Sequence, residues 1–595
     1  MGSIAVVVRS SSPPEPEVAL RMLAAAPHRG TAHETLADGD VLLGVANRPD
    51  HVDAWLAGGV GLSAALSGSL DNEDELRALL AEGEARAPTN PAATLLAAFR
   101  MWGEEAPGRL RGRFAATVTD GSTVWCFRDH LGFRTLFYRE QDGLFLAASE
   151  GKQVVAGAGI PRRADAGAVE DIFFGRLEES RTALAGVSRL PKASLARVRP
   201  GEPARIRRYW DPFALLETAC LADDEVGERL AELLQRVVGR TVTGSDAISL
   251  SGGIDSPTVA ALAAPRHLEL SGRPLVALTA VYPEQPSVDE RRYVELVSEY
   301  LGLPLETYVP STRPLDDVEH WVDLLDGPVD TLPLPEVAEN YRIARGLGAR
   351  AVLTGELAEF VFTVRQHLPG HLLLHGRLAP FLRWVREQRA RGRSLRWVGR
   401  QLAPSLAPAF LATRVVRRRG HPLLPPWIDR SQVGGLGFRH DLARAPRRRW
   451  AEAQLDPLRP GVVLTAEADD ICAAACGVDV RRPLADVDLW EFFLSLRAEQ
   501  KFPDSVSKGL VRRTMAGRLP VEILERRDKT AFDAHYLAGA DYPTLRRLLL
   551  DAELRLPGVD YEHLRLRLRD ESMGVFELSW ASDLARAHAF LRLRA

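Results

Sequence analysis

The run Ile248-Ser249-Leu250-Ser251-Gly252-Gly253-Ile254-Asp255-Ser256 sets two glycines, three serines and a carboxylate between an apolar stretch that reads as a strand and one that reads as a helix. A turn of this kind directs backbone amides and hydroxyls toward the positive end of a helix, where they can converge on phosphate oxygens. Its glycines permit close backbone approach, and its serines add donors. Neither the Walker pattern nor the dinucleotide-binding glycine fingerprint is present. A serine-glycine turn can also be a plain strand-to-helix connection, so the chemical reading depends on companions elsewhere in the chain.

One companion is Val352-Leu353-Thr354-Gly355-Glu356-Leu357-Ala358-Glu359-Phe360, a strand ending in a glycine turn with two carboxylates three residues apart. Together the two runs resemble the asparagine synthetase superfamily: the first is similar to its SGGxDS pyrophosphate-binding loop, the second to its SGEGxDE segment. The resemblance implies that Ser249, Leu250, Ser251, Gly252, Gly253, Asp255, Ser256 and Thr279 contact ATP and that Thr354 and Gly355 contact the adenylate. It gives Glu356 an acid/base or acceptor-orienting role and makes Asp255 and Glu359 ligands of Mg2+. Leu519-Pro520 followed by Arg526-Arg527-Asp528-Lys529-Thr530-Ala531-Phe532 is similar to the family's LPxxxxxRxxKxxF block. By that likeness Lys529 lies against the forming oxyanion and the leaving pyrophosphate, where a compact cation stabilises charge that develops in the transition state. Val480 to Asp486 and Lys508 to Arg513 are similar to the R-x-PFLD and K-x-x-x-R segments and read as mainly structural, with Asp486 and Lys508 as further contributors. Asp289 and Glu290 read as a helix N-cap.

The resemblance runs in order from about Val226 to Phe532 and departs from the family pattern at three positions. Leu357 replaces a glycine, Glu359 replaces an aspartate, and Phe360 stands where an acidic residue is common. Glutamate still offers magnesium a carboxylate oxygen, displaced by about a bond length.

These groups need elements to hold them. Residues 1 to about 160 alternate short apolar runs, among them Ile4–Val8, Val41–Ala46 and Arg113–Val118, with turns and a helical stretch at Glu73–Glu82. From Asp224 the pattern becomes helix, strand, glycine turn, helix, strand, the start of a parallel sheet. The pattern reads as a sheet-rich α+β domain followed by an α/β one, and the family resemblance implies the fold: α/β, with an N-terminal αββα sandwich of Ntn-hydrolase type over residues 1–210, then a parallel-sheet ATP-pyrophosphatase (HUP-like) synthetase domain over 220–595. A helical, arginine-rich elaboration occupies about 370–460; it reads either as a solvated amphipathic pair of helices or as a docking surface for an acidic segment.

Residues 1–150 also resemble a class II glutaminase domain, through His28-Arg29-Gly30, Gly68 to Asn72, Phe114-Ala115-Ala116, Arg128 to Gly132 and Ser149-Glu150. That family's nucleophile is an amino-terminal cysteine, whereas Gly2 follows Met1 here and the first cysteine is Cys126. Ser67, Ser69 and Asn90-Pro91 also stand where the pattern has Asn, Glu and Asp. The expectation is a front domain that has lost glutaminase chemistry, so that the amine must come from an organic substrate.

With 595 residues, 46% hydrophobic and 26% charged, the chain has material for sizeable cores. Its 76 basic and 79 acidic residues leave a formal charge of −3, which gives no field of the kind nucleic-acid binders show. Four cysteines cannot form a disulfide framework, and no apolar stretch approaches the ~20 residues of a membrane span. A cytoplasmic protein without a nucleic-acid or membrane partner is expected. Cys472 and Cys476 read as small core residues, or as half of a metal set.

Two kinds of relative lacking the nucleophile close an amide within one substrate: β-lactam synthetases and lasso peptide cyclases. The arginine-rich elaboration suits a peptide, and β-lactam enzymes carry tyrosine where this chain has Glu356. The resemblance thus implies an AMP-forming ligase that couples an internal Asp or Glu side chain of a core peptide to the peptide's N-terminal amine. Its partners would be the precursor peptide, a leader peptidase and a leader-recognition protein. The alternatives are a ligase of a small amino acid and a degenerate synthetase acting as a binding scaffold.

Overall fold

Ser3–Arg9 is apolar almost without alternation, and a strand of that kind needs cover on both faces. It has it: the strand lies inside a six-stranded antiparallel sheet, between Leu144–Ala148 and Val41–Asn47. A second six-stranded antiparallel sheet, with Gly112–Thr119 between Val124–Arg128 and Leu62–Leu70, packs against the first. Ile4, Val6, Leu43, Ala65, Ala115 and Cys126 fill the space between them. Helices Pro16–Ala24 and Gly151–Ala158 cover the outside of the first sheet, and Pro91–Trp102 covers the second. This is the expected αββα sandwich. The computed structural model describes all residues except 10–12, 81–87, 142, 330–332, 359–361, 364, 412–423, 435–443, 504–506, 528–529 and 551–553.

The second body is built on five parallel strands in the spatial order Leu305–Tyr308, Val276–Ala280, Asp246–Ser249, Ala351–Leu353, Asp479–Arg481. Glu225–Thr241 buries Val226, Leu230, Leu233, Leu234, Val237 and Val238, the i, i+3, i+4 stripe of a helix lying on a sheet. The helix expected after the glycine turn runs Asp255–Ser271 and continues through Pro265 to a glycine in left-handed conformation at Gly272. The elaboration comprises helices Leu368–Leu374, Leu378–Ala390 and Leu395–Leu406 around a small core that includes Trp384, Val398 and Trp450. Arg383, Arg386, Arg389, Arg391, Arg393, Arg396 and Arg400 are exposed on it; Arg417 to Arg419 lie outside the described residues.

Helix Pro460–Cys476 joins the two bodies, with seventeen residues and three buried carboxylates. Glu467 pairs with Arg128 at 2.6 Å and Arg189 at 2.8 Å, and Asp470 pairs with Arg134 at 3.0 Å and Arg29 at 3.1 Å; all four arginines belong to the front sandwich. Further along, Arg113 reaches Asp479 at 2.6 Å. Burial alone would raise the Asp479 carboxyl, but Arg113 and Arg481 hold it far below the usual carboxylate range. The same helix buries Cys472 and half-buries Cys476, and among the described residues no group of three metal-binding side chains occurs. Cys472 lies in the core with Ile471, Val478 and Val480, and Cys476 packs against it. Among the described residues, no helix is long and apolar enough to cross a membrane.

Candidate active site

In an open parallel sheet, ligands bind beyond the carboxyl ends of the strands where the strand order reverses. Here that point lies between Asp246–Ser249 and Ala351–Leu353, and the two motif runs leave the sheet on either side of it. They touch. A methyl carbon on Gly355 would sit 2.7 Å from the carbonyl carbon of Asp255 and 2.8 Å from the Cα of Ser256, so only glycine lets the second turn lie on the first.

The first turn is held from several directions. The Ser256 hydroxyl accepts from the Ser251 amide at 2.9 Å and meets the Ser251 hydroxyl at 2.9 Å. The Gly252 amide donates to Glu290 at 2.9 Å, and its carbonyl accepts from Arg526 at 2.6 Å. Arg526 also pairs with Glu290 at 3.0 Å and lies 3.9 Å over the Tyr293 ring, while Thr530 donates to Glu290 at 2.7 Å. Glu290 is thus a brace between the loop and the Arg526 segment. It does not cap its helix, as the sequence suggested; Asp289 instead accepts the Arg291 amide at 3.0 Å.

The predicted nucleotide residues gather here, with different orientations. Ser251 and Gly253 are exposed and Ser256 is buried beneath them. Leu250 turns its side chain into the core and gives its amide to Leu278. Ser249 ends its strand, Thr279 is buried on the neighbouring strand, and Thr354 gives its amide to Arg481. Asp255 opens the seventeen-residue helix and is ion-paired with Lys508. Magnesium is commonly held by one or two carboxylates plus substrate phosphates. A hard carboxylate at the helix mouth, beside amides and hydroxyls free of a metal-ligand cage, fits that arrangement. Glu359 and Lys529 lie outside the described residues.

Glu356 follows Gly355 on the second turn. Its side chain is 48% exposed, and Arg482 donates to it at 3.0 Å. Behind Arg482 stands buried Asp469, which also accepts from the Tyr341 hydroxyl at 2.7 Å. Burial pushes the Tyr341 phenol well above its ordinary value, so it stays a donor. Tyr341, Asp469 and Arg482 therefore hold Glu356 in place. Sequence reading missed this row: Arg482 occupies the unspecified position of R-x-PFLD, and Asp469 sits in an otherwise alanine-rich helix. Leu357, in the glycine position of the motif, keeps a glycine-like φ of 64°, which costs a side chain about 1–2 kcal/mol. Asp486 is structural, capping its helix and pairing with Arg240 at 2.6 Å.

Glu356 opens onto a cavity of about 940 Å3 with mostly apolar walls, lying between helix Pro460–Cys476 and the front sandwich. In the front sandwich itself the surroundings of Gly2 are filled. A Cβ there would meet Ala54 Cβ at 2.6 Å, the Ala46 carbonyl at 2.7 Å and Asn47 Oδ1 at 2.8 Å. Arg29, fully buried, is taken up by Glu150 and Asp470. Cys126 lies in a strand, its thiol pushed up to about 12 by burial.

Residues 229–588 match the asparagine synthase family and residues 1–210 match the glutamine amidotransferase domain. Asparagine synthetase (glutamine-hydrolyzing) 3 of Bacillus subtilis is 27% identical over 506 residues, covering 79% of this chain and 75% of that protein. Carboxyethyl-arginine beta-lactam-synthase of Streptomyces clavuligerus is 30% identical over 219 residues, 36% of this chain and 40% of that protein. A solved allosteric regulatory enzyme of purine biosynthesis aligns with 53% of this chain and 81% of its own at 11% identity and a TM-score of 0.28, a likeness too low to argue from.

Proposed function

Because the chain belongs to the asparagine synthase family, an ATP-dependent amide ligase, we propose that it closes a macrolactam within a peptide, in the manner of a lasso peptide cyclase. The observation that carries the proposal is the chamber of about 940 Å3 onto which Glu356 opens, at the upper end of the ~300–1,000 Å3 typical of small-molecule sites. A small amino acid would leave most of it empty.

The amine source points the same way. With no room at Gly2 for a cysteine side chain and Arg29 already paired, the front domain lacks the means to open glutamine. The attacking amine then belongs to the substrate.

In the first step an Asp or Glu side-chain carboxylate of the peptide attacks the α-phosphorus of ATP, giving the acyl-adenylate and pyrophosphate. The amides of Gly253 to Ser256 and the hydroxyls of Ser251 and Ser256 would hold the phosphates, in a loop braced by Glu290 and Arg526, while Lys508 sits beside Asp255 to balance charge. Magnesium, held through Asp255 and Glu359, would neutralise phosphate charge when bound. In the second step the N-terminal amine attacks the acyl carbon, AMP leaves, and the amine proton passes to a base. Glu356, fixed by Arg482, orients the amine and receives that proton. Lys529 would face the forming oxyanion.

The test is mass spectrometry of leader-free linear peptides incubated with the protein, ATP and magnesium, with AMP measured alongside. A product lighter by one water and resistant to unfolding supports macrolactam closure. AMP release with only a small amino acid would instead favour the reaction type of the Streptomyces clavuligerus relative. No ATP-dependent AMP release with either class would favour a binding scaffold.

A further inference from the structure

The chamber beside Glu356 is only half made by the ligase body. Phe137, Ile172 and Leu177 of the front sandwich face Leu464 and Thr465 of helix Pro460–Cys476, and the space between them is the cavity. The contact across the junction is close, since a Cβ on Gly461 would touch the Leu177 side chain at 3.4 Å.

The charges in these walls are already matched. Arg189 pairs with Glu467 at 2.8 Å, Arg176 with Asp171 at 2.6 Å, and Asp326 and Asp469 are ion-paired with Arg162 and Arg482. A buried ion satisfied inside the protein gains little from a guest, and drawing it away leaves its partner uncompensated. What the walls offer a guest is therefore apolar side chain. Glu356 is paired too, with Arg482 at 3.0 Å, but differs in exposure: at 48% it is the most exposed carboxylate of the wall, against 28% for Asp456, 10% for Asp326, 5% for Glu467 and 2% for Asp469.

We infer that the front domain has a binding role: it supplies half of a chamber that receives an uncharged, apolar segment carrying a free amine, with the amine at Glu356. Ile172 and Leu177 set the bulk of the segment accepted. This deepens the ligase reading and rests on it for the identity of the natural guest, but the chamber's preference can be measured without any turnover.

Leu177→Cys places a thiol in the wall, and its labelling by N-ethylmaleimide in the full-length protein can be followed by mass mapping. The probes are octylamine and octanoate. Octylamine is expected to slow labelling about tenfold, equivalent to about 1.4 kcal/mol of occupancy, and octanoate less than about twofold. Protection by octylamine should disappear in the Leu177→Cys, Glu356→Gln double variant. Ile172→Cys serves in the same way should the first variant fold poorly. Equal labelling with and without octylamine, or equal protection by octanoate, overturns the inference. Absence of AMP release with every peptide, alongside intact amine-selective protection, would overturn only the macrolactam reading.

Discussion

Replacing Gly355 by alanine tests whether the two turns act as one unit. The added methyl carbon would lie 2.7 Å from the Asp255 carbonyl carbon and 2.8 Å from Ser256 Cα, both backbone atoms that no rotamer change can move. Carbon contacts are favourable near 3.5–4.0 Å, so the turns must part by roughly 0.7–1 Å. That shift separates Glu356 from the phosphate loop by a distance at which misplacement costs on the order of 10²-fold in rate. Overpacking of this kind costs about 1–3 kcal/mol in stability, which a chain of this size tolerates. The assay is AMP and pyrophosphate release at saturating ATP, with thermal unfolding as the folding control. A rate about 100-fold down in a folded protein is expected. A Gly355→Ala variant within about twofold of the parent would refute the argument that these turns must touch, since that is the tolerance a non-contacting site would show.

Other expectations follow from the same geometry. Gly253→Ala meets nothing nearer than the Ser251 hydroxyl at 3.6 Å, so stability should stay within about 0.5 kcal/mol while ATP affinity falls; unchanged affinity by calorimetry would remove the phosphate role from this turn. Glu356→Gln should keep pyrophosphate release and lose amide product by mass spectrometry, and full cyclisation would exclude Glu356 as the amine's base. Gly2→Cys should yield no glutamate from glutamine, because its side chain has no space beside Ala46 and Ala54. Burial pushes Lys501 down to about 7, against about 10.4 in the unfolded chain. The unfolded state then binds more protons between those values, so wild-type stability rises with pH across that window. Lys501→Met should lose this rise, and the gap between variant and parent unfolding midpoints should shrink from pH 6 to pH 9.5.

The parts of the site that depend on local chain geometry were legible in the sequence. Ser251-Gly252-Gly253 and Thr354-Gly355 announce turns after strands, and strand order then brings them together. The braces were not legible, because they join residues far apart in sequence: Glu290 to Gly252 and Arg526, and Asp469 to Arg482 and Glu356. Asp289-Glu290 looked like a cap because the pair precedes a helix, yet tertiary contacts outbid the local use of Glu290. The Leu357 departure was visible as a letter, but not that the backbone would keep a left-handed turn beneath a leucine side chain. The long apolar run of Ser3–Arg9 gave its strand away, while the cavity, made by elements some 300 positions apart, left no trace in any single segment.

The arginines that Glu467 and Asp470 hold across the junction bear on the history of the chain. On the proposed reading the front domain has no reaction of its own, and such a domain can usually be shed by a lineage at little cost. Here two carboxylates lie buried against four guanidinium partners of that domain, and removing those partners singly, with the domain still in place, costs about 3–5 kcal/mol for each broken pair. Single substitutions cannot dismantle such a junction gradually, since each intermediate is worse than either end. The front domain is in this sense locked in by electrostatics, and inheritance can rework its surfaces but not discard it.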